Sequence, residues 1–118
     1  MIQSFRDFEV YKRSLEASIE MYKVTEKFLR DELYGLTSQI KRASTSIPLN
    51  VAEGYGKKEN PNEFKRFLHM AIGSCNEMRV LLEIAERLGF IERSIFEKFE
   101  QEYSEIGKML TMLRQRWH

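Results

Sequence analysis

Residues 96–117 read FEKFEQEYSEIGKMLTMLRQRW and place an apolar side chain at every third or fourth position. That alternation is typical of a helix that packs in a left-handed bundle. Ser94 and Glu97 have the spacing of a capping box, so we predict a helix over about 95–116. The apolar seam consists of Phe96, Phe99, Tyr103, Ile106, Leu110, Leu113 and Trp117.

A second long helix is predicted over about 61–88. Asn60 can accept a hydrogen bond from a free N–H, Pro61 suits the first helical position, and Gly89 favours a left-handed C-terminal stop. One face of this helix is apolar, with Phe64, Phe67, Leu68, Ala71, Cys75, Met78, Leu82 and Ala85.

The N-terminal segment predicts a helix over about 7–30 with two apolar rows. A strip of Ser14, Ser18 and Thr25 lies between the rows, and the uncharged arc spans roughly 220°, about twice the width of one core face. Either the helix is deeply embedded in its own bundle, or it packs on its own core and on a neighbouring subunit. The rows are Phe8, Tyr11, Leu15, Ile19, Tyr22 and Leu29, and beside them Val10, Ala17, Met21, Val24 and Phe28.

A fourth helix is predicted over about 37–55 despite Pro48, because Leu36, Ile40, Ala43, Ile47 and Val51 continue the helical period. Short connections favour antiparallel neighbours. We therefore predict an all-α, antiparallel up-down-up-down four-helix bundle, with residues 1–118 forming a single domain.

The composition argues against several classes of function. The formal net charge is +1, and strong nucleic-acid binders are usually far more basic. There is one cysteine, no apolar run long enough for a membrane span and no signal-peptide core, so we expect a cytoplasmic protein without membrane contact. We find no pattern for a metal, a cofactor, a small-molecule substrate or catalytic residues, and we expect a protein that is not an enzyme.

A polar stripe accompanies the apolar row of the 37–55 helix, in a strip about 80° wide. Taken singly, its members are ordinary solvated residues. If another helix or subunit covers them, they must be paired, because an unpaired buried polar group costs about 1 to 3 kcal/mol. The stripe consists of Gln39, Arg42, Ser46, Asn50 and Glu53, with Glu77 as a further partner for Arg42.

A modest basic patch occupies the same segment. Four cations, Lys41, Arg42, Lys57 and Lys58, are offset only by Glu53, which gives residues 36–58 a charge of +3. Together with Tyr55, which could stack on a base, these cations are the candidate nucleic-acid-binding residues.

Several long motifs resemble one family. LTSQIKRASTSIPLNVAEGYG at 36–56, EFKRFLHMAIGSCNE at 63–77 and FRDFEVYKRSLE at 5–16 are similar to the four-helix-bundle proteins encoded in intervening sequences of bacterial large-subunit ribosomal RNA genes. The resemblance implies a bundle that assembles as a ring, with a homopentamer as the associated form. The chain also bears a more distant resemblance to the accessory protein of diversity-generating retroelements. Proteins of that class are strongly basic, whereas this chain has a formal net charge of +1.

Two hypotheses about function remain open at this point. In the first, the protein is a ring-forming scaffold in which the polar stripe pairs within the bundle or between subunits. In the second, it is a nucleic-acid-associated accessory protein that uses the basic rim of the oligomer.

Overall fold

The computed structural model describes residues 1–28 and 35–118, which form four α-helices preceded by a short 3-10 turn. The predicted all-α fold is confirmed. The turn covers Phe5–Asp7, and the helices are α1 (Glu9–Thr25), α2 (Leu36–Tyr55), α3 (Pro61–Arg87) and α4 (Arg93–Arg116).

The observed bounds agree with the predicted ones to within two residues at every helix end except the C-terminal end of α1. The helix predicted to run to residue 30 ends at Thr25, and Leu29 lies outside the described residues. The row that was expected to continue to Leu29 is therefore described only as far as Tyr22.

An aromatic cluster establishes how the helices run. The ring of Phe8, just before α1, lies 5.4 Å from that of Tyr55 at the end of α2 and 6.3 Å from that of Trp117, just after α4. Phe64, in the first turn of α3, lies 4.7 Å from Trp117 and 6.0 Å from Tyr55. The beginnings of α1 and α3 thus meet the ends of α2 and α4, so successive helices are antiparallel. We refer to this as the terminal end of the bundle.

The predicted apolar faces form the core. Every residue in the predicted rows of α2 and α3 is buried, as are five of the seven residues in the α4 seam. Each fully buried Leu, Ile, Phe or Met side chain contributes about 1.5 to 3 kcal/mol relative to an exposed one. The largest enclosed side chains are those of Tyr103, Phe64, Met21, Ile40 and Ile47.

In α1 only one of the two apolar rows faces the core. Val10, Ala17 and Met21 are buried, and so is the small-residue strip that includes Ser14 and Ser18. The Ser18 hydroxyl lies 3.4 Å from that of Ser44 in α2, so the small side chains let these two helices approach closely. The other row is divided. Phe8 at its start is buried in the core, whereas Leu15, Ile19 and Tyr22 are turned away from it.

The helix ends follow the sequence signals with one exception. The Asn60 Oδ1 accepts a hydrogen bond from the Asn62 N–H at 3.1 Å, and Gly89 has the positive φ of 82° that was expected. The Ser94 capping box is wrong, because α4 begins at Arg93. The Arg93 guanidinium donates to the Glu97 carboxylate at 3.1 Å, which holds Glu97 away from the backbone at the helix start.

A capping box does occur at the N-terminus. The Asp7 carboxylate accepts hydrogen bonds from the N–H groups of Gln3 and Ser4, at 2.8 and 3.0 Å. These bonds to the ionised form lower the pKa of Asp7 below its ordinary value. The box orders the turn that brings Phe8 to the terminal end.

Candidate functional site

The centre of the polar stripe is an ion pair between α2 and α3. The Arg42 guanidinium donates to the Glu77 carboxylate at 2.5 Å, so the carboxylate that holds Arg42 is Glu77 and not Glu53. The Arg42 side chain is 63% exposed, and pairs as open to solvent as this one are worth about 0 to 1 kcal/mol. The pair therefore aligns the two helices more than it stabilises them.

Two further members of the stripe are hydrogen-bonded, Ser46 across the same helix contact and Asn50 within α2. The Ser46 hydroxyl is hydrogen-bonded to that of Ser74 in α3 at 2.6 Å. The Asn50 side-chain amide donates to the Ser46 carbonyl oxygen at 2.8 Å. Gln39 and Glu53 are exposed on the same side of α2. The middle of the stripe is thus a polar seam between α2 and α3, and its two ends face solvent.

The basic patch does not form one cluster within the subunit. Lys41 and the end of α2 at Tyr55 are fourteen residues apart, or about 21 Å along a helix. The Lys41 ammonium lies 4.9 Å from the centre of the Tyr22 ring, on the α1 side, whereas Arg42 turns towards α3. Residues that are adjacent in sequence therefore point to different neighbours, and the +3 charge is spread along the bundle.

Tyr55 is a core residue in this structure. Its ring is 7% exposed and packs edge-on against Phe8, Phe64 and Trp117. A base therefore cannot stack on Tyr55 in this conformation, because aromatic side chains already enclose the ring. Lys58 lies over the ring at 3.9 Å. Of the candidates at the terminal end, Lys57 and Lys58 are the ones that reach solvent.

An apolar surface is exposed where α1 and α2 lie side by side. Leu15, Ile19 and Tyr22 of α1 are 39% to 44% exposed, and Leu49 of α2 is 60% exposed. The Lys41 ammonium of α2 lies over the Tyr22 ring of α1, and Leu49 follows Lys41 by two steps of four residues along α2. All four apolar side chains therefore share one side of the bundle. We refer to them as the α1–α2 face. Its three α1 residues come from the row of the first helix that begins with Phe8.

A second exposed apolar stripe follows α3. Met70, Val80, Ile84 and Leu88 are 41% to 62% exposed and, with Gly73 and Glu77 between them, recur every three or four residues. A Cβ atom at Gly73 would meet nothing within 4 Å. No described residue of the subunit therefore requires glycine in this helix interior, where glycine costs about 1 kcal/mol relative to alanine. We refer to these residues as the α3 stripe.

Among the described residues, the side chains with reactive groups lie in separate surroundings. Cys75 is 1% exposed, and burial raises the pKa of its thiol to about 12, which leaves it protonated at neutral pH. Burial also raises the pKa of Tyr103, whose hydroxyl has no hydrogen-bond partner within the described residues. His69 is exposed on α3. Over residues 1–28 and 35–118, no three His, Cys, Asp or Glu side chains are grouped so that they could hold a metal ion.

None of the helices in the described part of the chain is both long enough and apolar enough to cross a membrane.

Comparison with known proteins identifies the family. No protein of curated function matches the sequence significantly. A solved structure from Bacteroides thetaiotaomicron, described as a protein of unknown function from the S23 ribosomal protein family, superimposes with a TM-score of 0.81 and 25% identity over 90% of this chain and 95% of that chain. Neither this neighbour nor the matching family indicates a catalytic activity. The family model described as 23S rRNA-intervening sequence protein matches residues 6–112, and the chain belongs to that family.

Proposed function

We propose that the protein is a non-catalytic cytoplasmic scaffold whose copies assemble into a ring. The observation that carries the proposal is the pair of exposed apolar surfaces, the α1–α2 face and the α3 stripe, on different helices of one subunit. Monomeric proteins rarely expose large contiguous apolar patches, and such patches mark contact sites.

A ring follows from the use of two different surfaces. When a surface of one copy binds a different surface of the next, the contact is heterologous, and it generates a closed ring if the rotation between copies closes. The open space above Gly73 lets a neighbouring helix approach α3 closely. The family resemblance implies five copies, so we propose a homopentamer.

The polar seam has a supporting role in this proposal. Arg42, Glu77, Ser46 and Ser74 link α2 to α3, and these two helices carry parts of the two contact surfaces. Hydrogen-bonded side chains fix how one helix lies on the other. The seam thus sets the angle between the surfaces, and that angle decides how many copies close the ring.

Light scattering coupled to gel filtration tests the assembly. Five copies of the 14.1 kDa chain have a mass of about 70 kDa. Ile19→Glu, which places a charge in the α1–α2 face, should reduce the mass to that of one subunit, because an unpaired buried charge costs several kcal/mol. Gln101→Glu, on an exposed part of α4, is the matched control and should keep the wild-type mass. A wild-type protein that elutes as a monomer would rule out the scaffold.

The second candidate function is a nucleic-acid-associated accessory protein. The observation in its favour is that Lys57 and Lys58 lie within 4.0 Å of no carboxylate oxygen in the described part of the chain, whereas Arg42 is paired with Glu77. Binding of labelled RNA and DNA at low ionic strength tests it. If neither binds, or if charge reversal at both lysines and at Lys41 changes nothing, this function is excluded.

A further inference from the structure

The exposed rows of α1 and α3 carry their side chains at matching intervals. In α1 the row has steps of three, four and three residues, and its members are Lys12, Leu15, Ile19 and Tyr22. In α3 the second half of the α3 stripe has steps of three, four and four residues, and its members are Glu77, Val80, Ile84 and Leu88. Two helices whose rows alternate steps of three and four can pack side by side as in a coiled coil.

Each row has one charged member, and the two charges are opposite. The Lys12 side chain is 58% exposed, and the carboxylate nearest to it among the described residues is that of Glu9, at 4.0 Å. Glu77 binds Arg42 through Oε2, whereas its Oε1 accepts no hydrogen bond from a described residue. An ammonium group from a second copy can therefore reach Glu77 without displacing Arg42.

The topology of the bundle determines the relative direction of the two rows in a ring. Within one subunit α1 and α3 run in the same direction, because the rings of Phe8 and Phe64, at the beginnings of these helices, lie 6.1 Å apart. In the proposed homopentamer, neighbouring copies are related by one-fifth of a turn, which cannot reverse the direction of a helix. If α1 of one copy packs on α3 of the next, the two helices are therefore parallel.

One parallel register matches the two rows along their whole length. It places Lys12 opposite Glu77 and brings together three apolar pairs: Leu15 with Val80, Ile19 with Ile84, and Tyr22 with Leu88. A shift of seven residues in one direction would place Ile19 opposite Glu77, and a shift in the other would place Lys12 opposite Ile84. Either shift sets a charge against an apolar side chain, and a buried charge without a partner is unfavourable.

Charge favours the same direction as the symmetry of the ring. In the antiparallel alignment that matches the rows best, Ile19 lies opposite Val80, which is acceptable, but Lys12 lies beside Arg87. Like charges across an interface select against that arrangement, whereas the parallel register gives Lys12 a carboxylate.

We propose that α1 of each copy packs in parallel on α3 of the next, with Lys12 opposite Glu77 as the pair that sets the register. The inference rests on the proposed ring and names the partner of each contact surface within it. Gly73 then lies level with residue 8 of the neighbouring copy, just before α1 begins. The open space above Gly73 lets the chain of that copy approach α3 closely there.

Disulfide crosslinking of the full chain tests the register. Tyr22→Cys with Leu88→Cys should give, after oxidation, a ladder of bands that reaches five subunits, about 70 kDa, on a non-reducing denaturing gel. The matched control is Tyr22→Cys with Val80→Cys, since residues 80 and 88 are about 12 Å apart along the helix. It should give less than one-tenth as much crosslinked product. Cys75 is buried and stays in place in every variant.

A reciprocal pair of variants guards against an effect of losing Tyr22. Leu15→Cys with Val80→Cys should form the ladder, whereas Leu15→Cys with Leu88→Cys should not. Light scattering under reducing conditions shows beforehand whether each variant keeps the wild-type mass.

The possible failures separate this inference from the proposed function. If the wild type has the mass of five subunits but residue 22 links to residue 80 and not to residue 88, the register is overturned and the ring stands. If the wild type has that mass and no pair forms a ladder, the copies meet through other residues, and the inference is again overturned alone. If the wild type has the mass of one subunit, the ring itself is wrong and the inference falls with it.

Discussion

Gly54 lies where α2 crosses α3, and its replacement by alanine tests the packing of these two helices. A Cβ atom at this position would lie 2.7 Å from the Cβ of Phe67 and 2.9 Å from the Cδ1 of Phe64. The Phe67 Cβ is attached to the backbone of α3 and cannot rotate away, so the helices must separate by several tenths of an ångström. Overpacking of this kind costs about 1 to 3 kcal/mol.

The net effect of Gly54→Ala is a loss of stability. Overpacking of about 2 kcal/mol, the middle of that range, less the roughly 0.5 to 1 kcal/mol that alanine regains in helix propensity, leaves about 1 to 1.5 kcal/mol of destabilisation. For a chain of this length that corresponds to a fall in Tm of about 4 to 8 °C. Thermal unfolding followed by circular dichroism at a fixed subunit concentration measures it.

Gly107→Ala is the matched control. Its Cβ would lie 3.8 Å from the Cβ of Cys75, an ordinary contact, and Gly107 is inside α4. We expect Tm to rise by about 2 to 4 °C, because alanine is the better helix former by roughly 0.5 to 1 kcal/mol. If Gly54→Ala unfolds at or above the wild-type Tm, the close approach of α2 to α3 is refuted.

Three further predictions concern single side chains. Arg13→Ala should lower the free energy of unfolding by about 1 kcal/mol, and Arg42→Ala should lower it by less. Arg13 makes two hydrogen bonds to Glu102 and both partners are about one-third exposed, whereas Arg42 is 63% exposed. Urea titrations of the two variants measure the difference. Tyr103→Phe should leave the free energy of unfolding in urea unchanged or raise it by about 1 kcal/mol, because it removes a buried hydroxyl that has no partner within the described residues. A clear loss of stability would contradict this. Cys75 should react with DTNB at pH 8 only as the protein unfolds, because its thiol is buried. The free energy of unfolding should fall as the pH rises above 9, because the thiol then ionises in the unfolded chain but stays protonated in the folded one.

The apolar periodicity of the chain was enough to predict the four helices and most of the core. The rows of α2, α3 and α4 alternate with charged residues, so each helix has one face that can be buried, and that face is the one observed. In α1 both rows are apolar, and the sequence could not say which one faces the core. The strip of Ser14, Ser18 and Thr25 decides it, because these small side chains let α2 approach and turn Ile19 outward.

The candidate site was harder to predict because a helix separates its sequence neighbours. Lys41 and Arg42 are adjacent in sequence but turn towards α1 and α3 respectively. Conversely, Phe8 and Trp117 are distant in sequence and meet at the terminal end through the antiparallel topology.

Mixing two complementary variants tests the ring most directly. Ile19→Glu disables the α1–α2 face and keeps the α3 stripe, whereas Ile84→Glu does the reverse. Each variant alone should have the mass of one 14.1 kDa subunit, and an equimolar mixture should form a dimer of about 28 kDa, because one intact contact remains between the two variants. A mixture that stays monomeric, or single variants that keep the wild-type mass, would contradict assembly through two different surfaces.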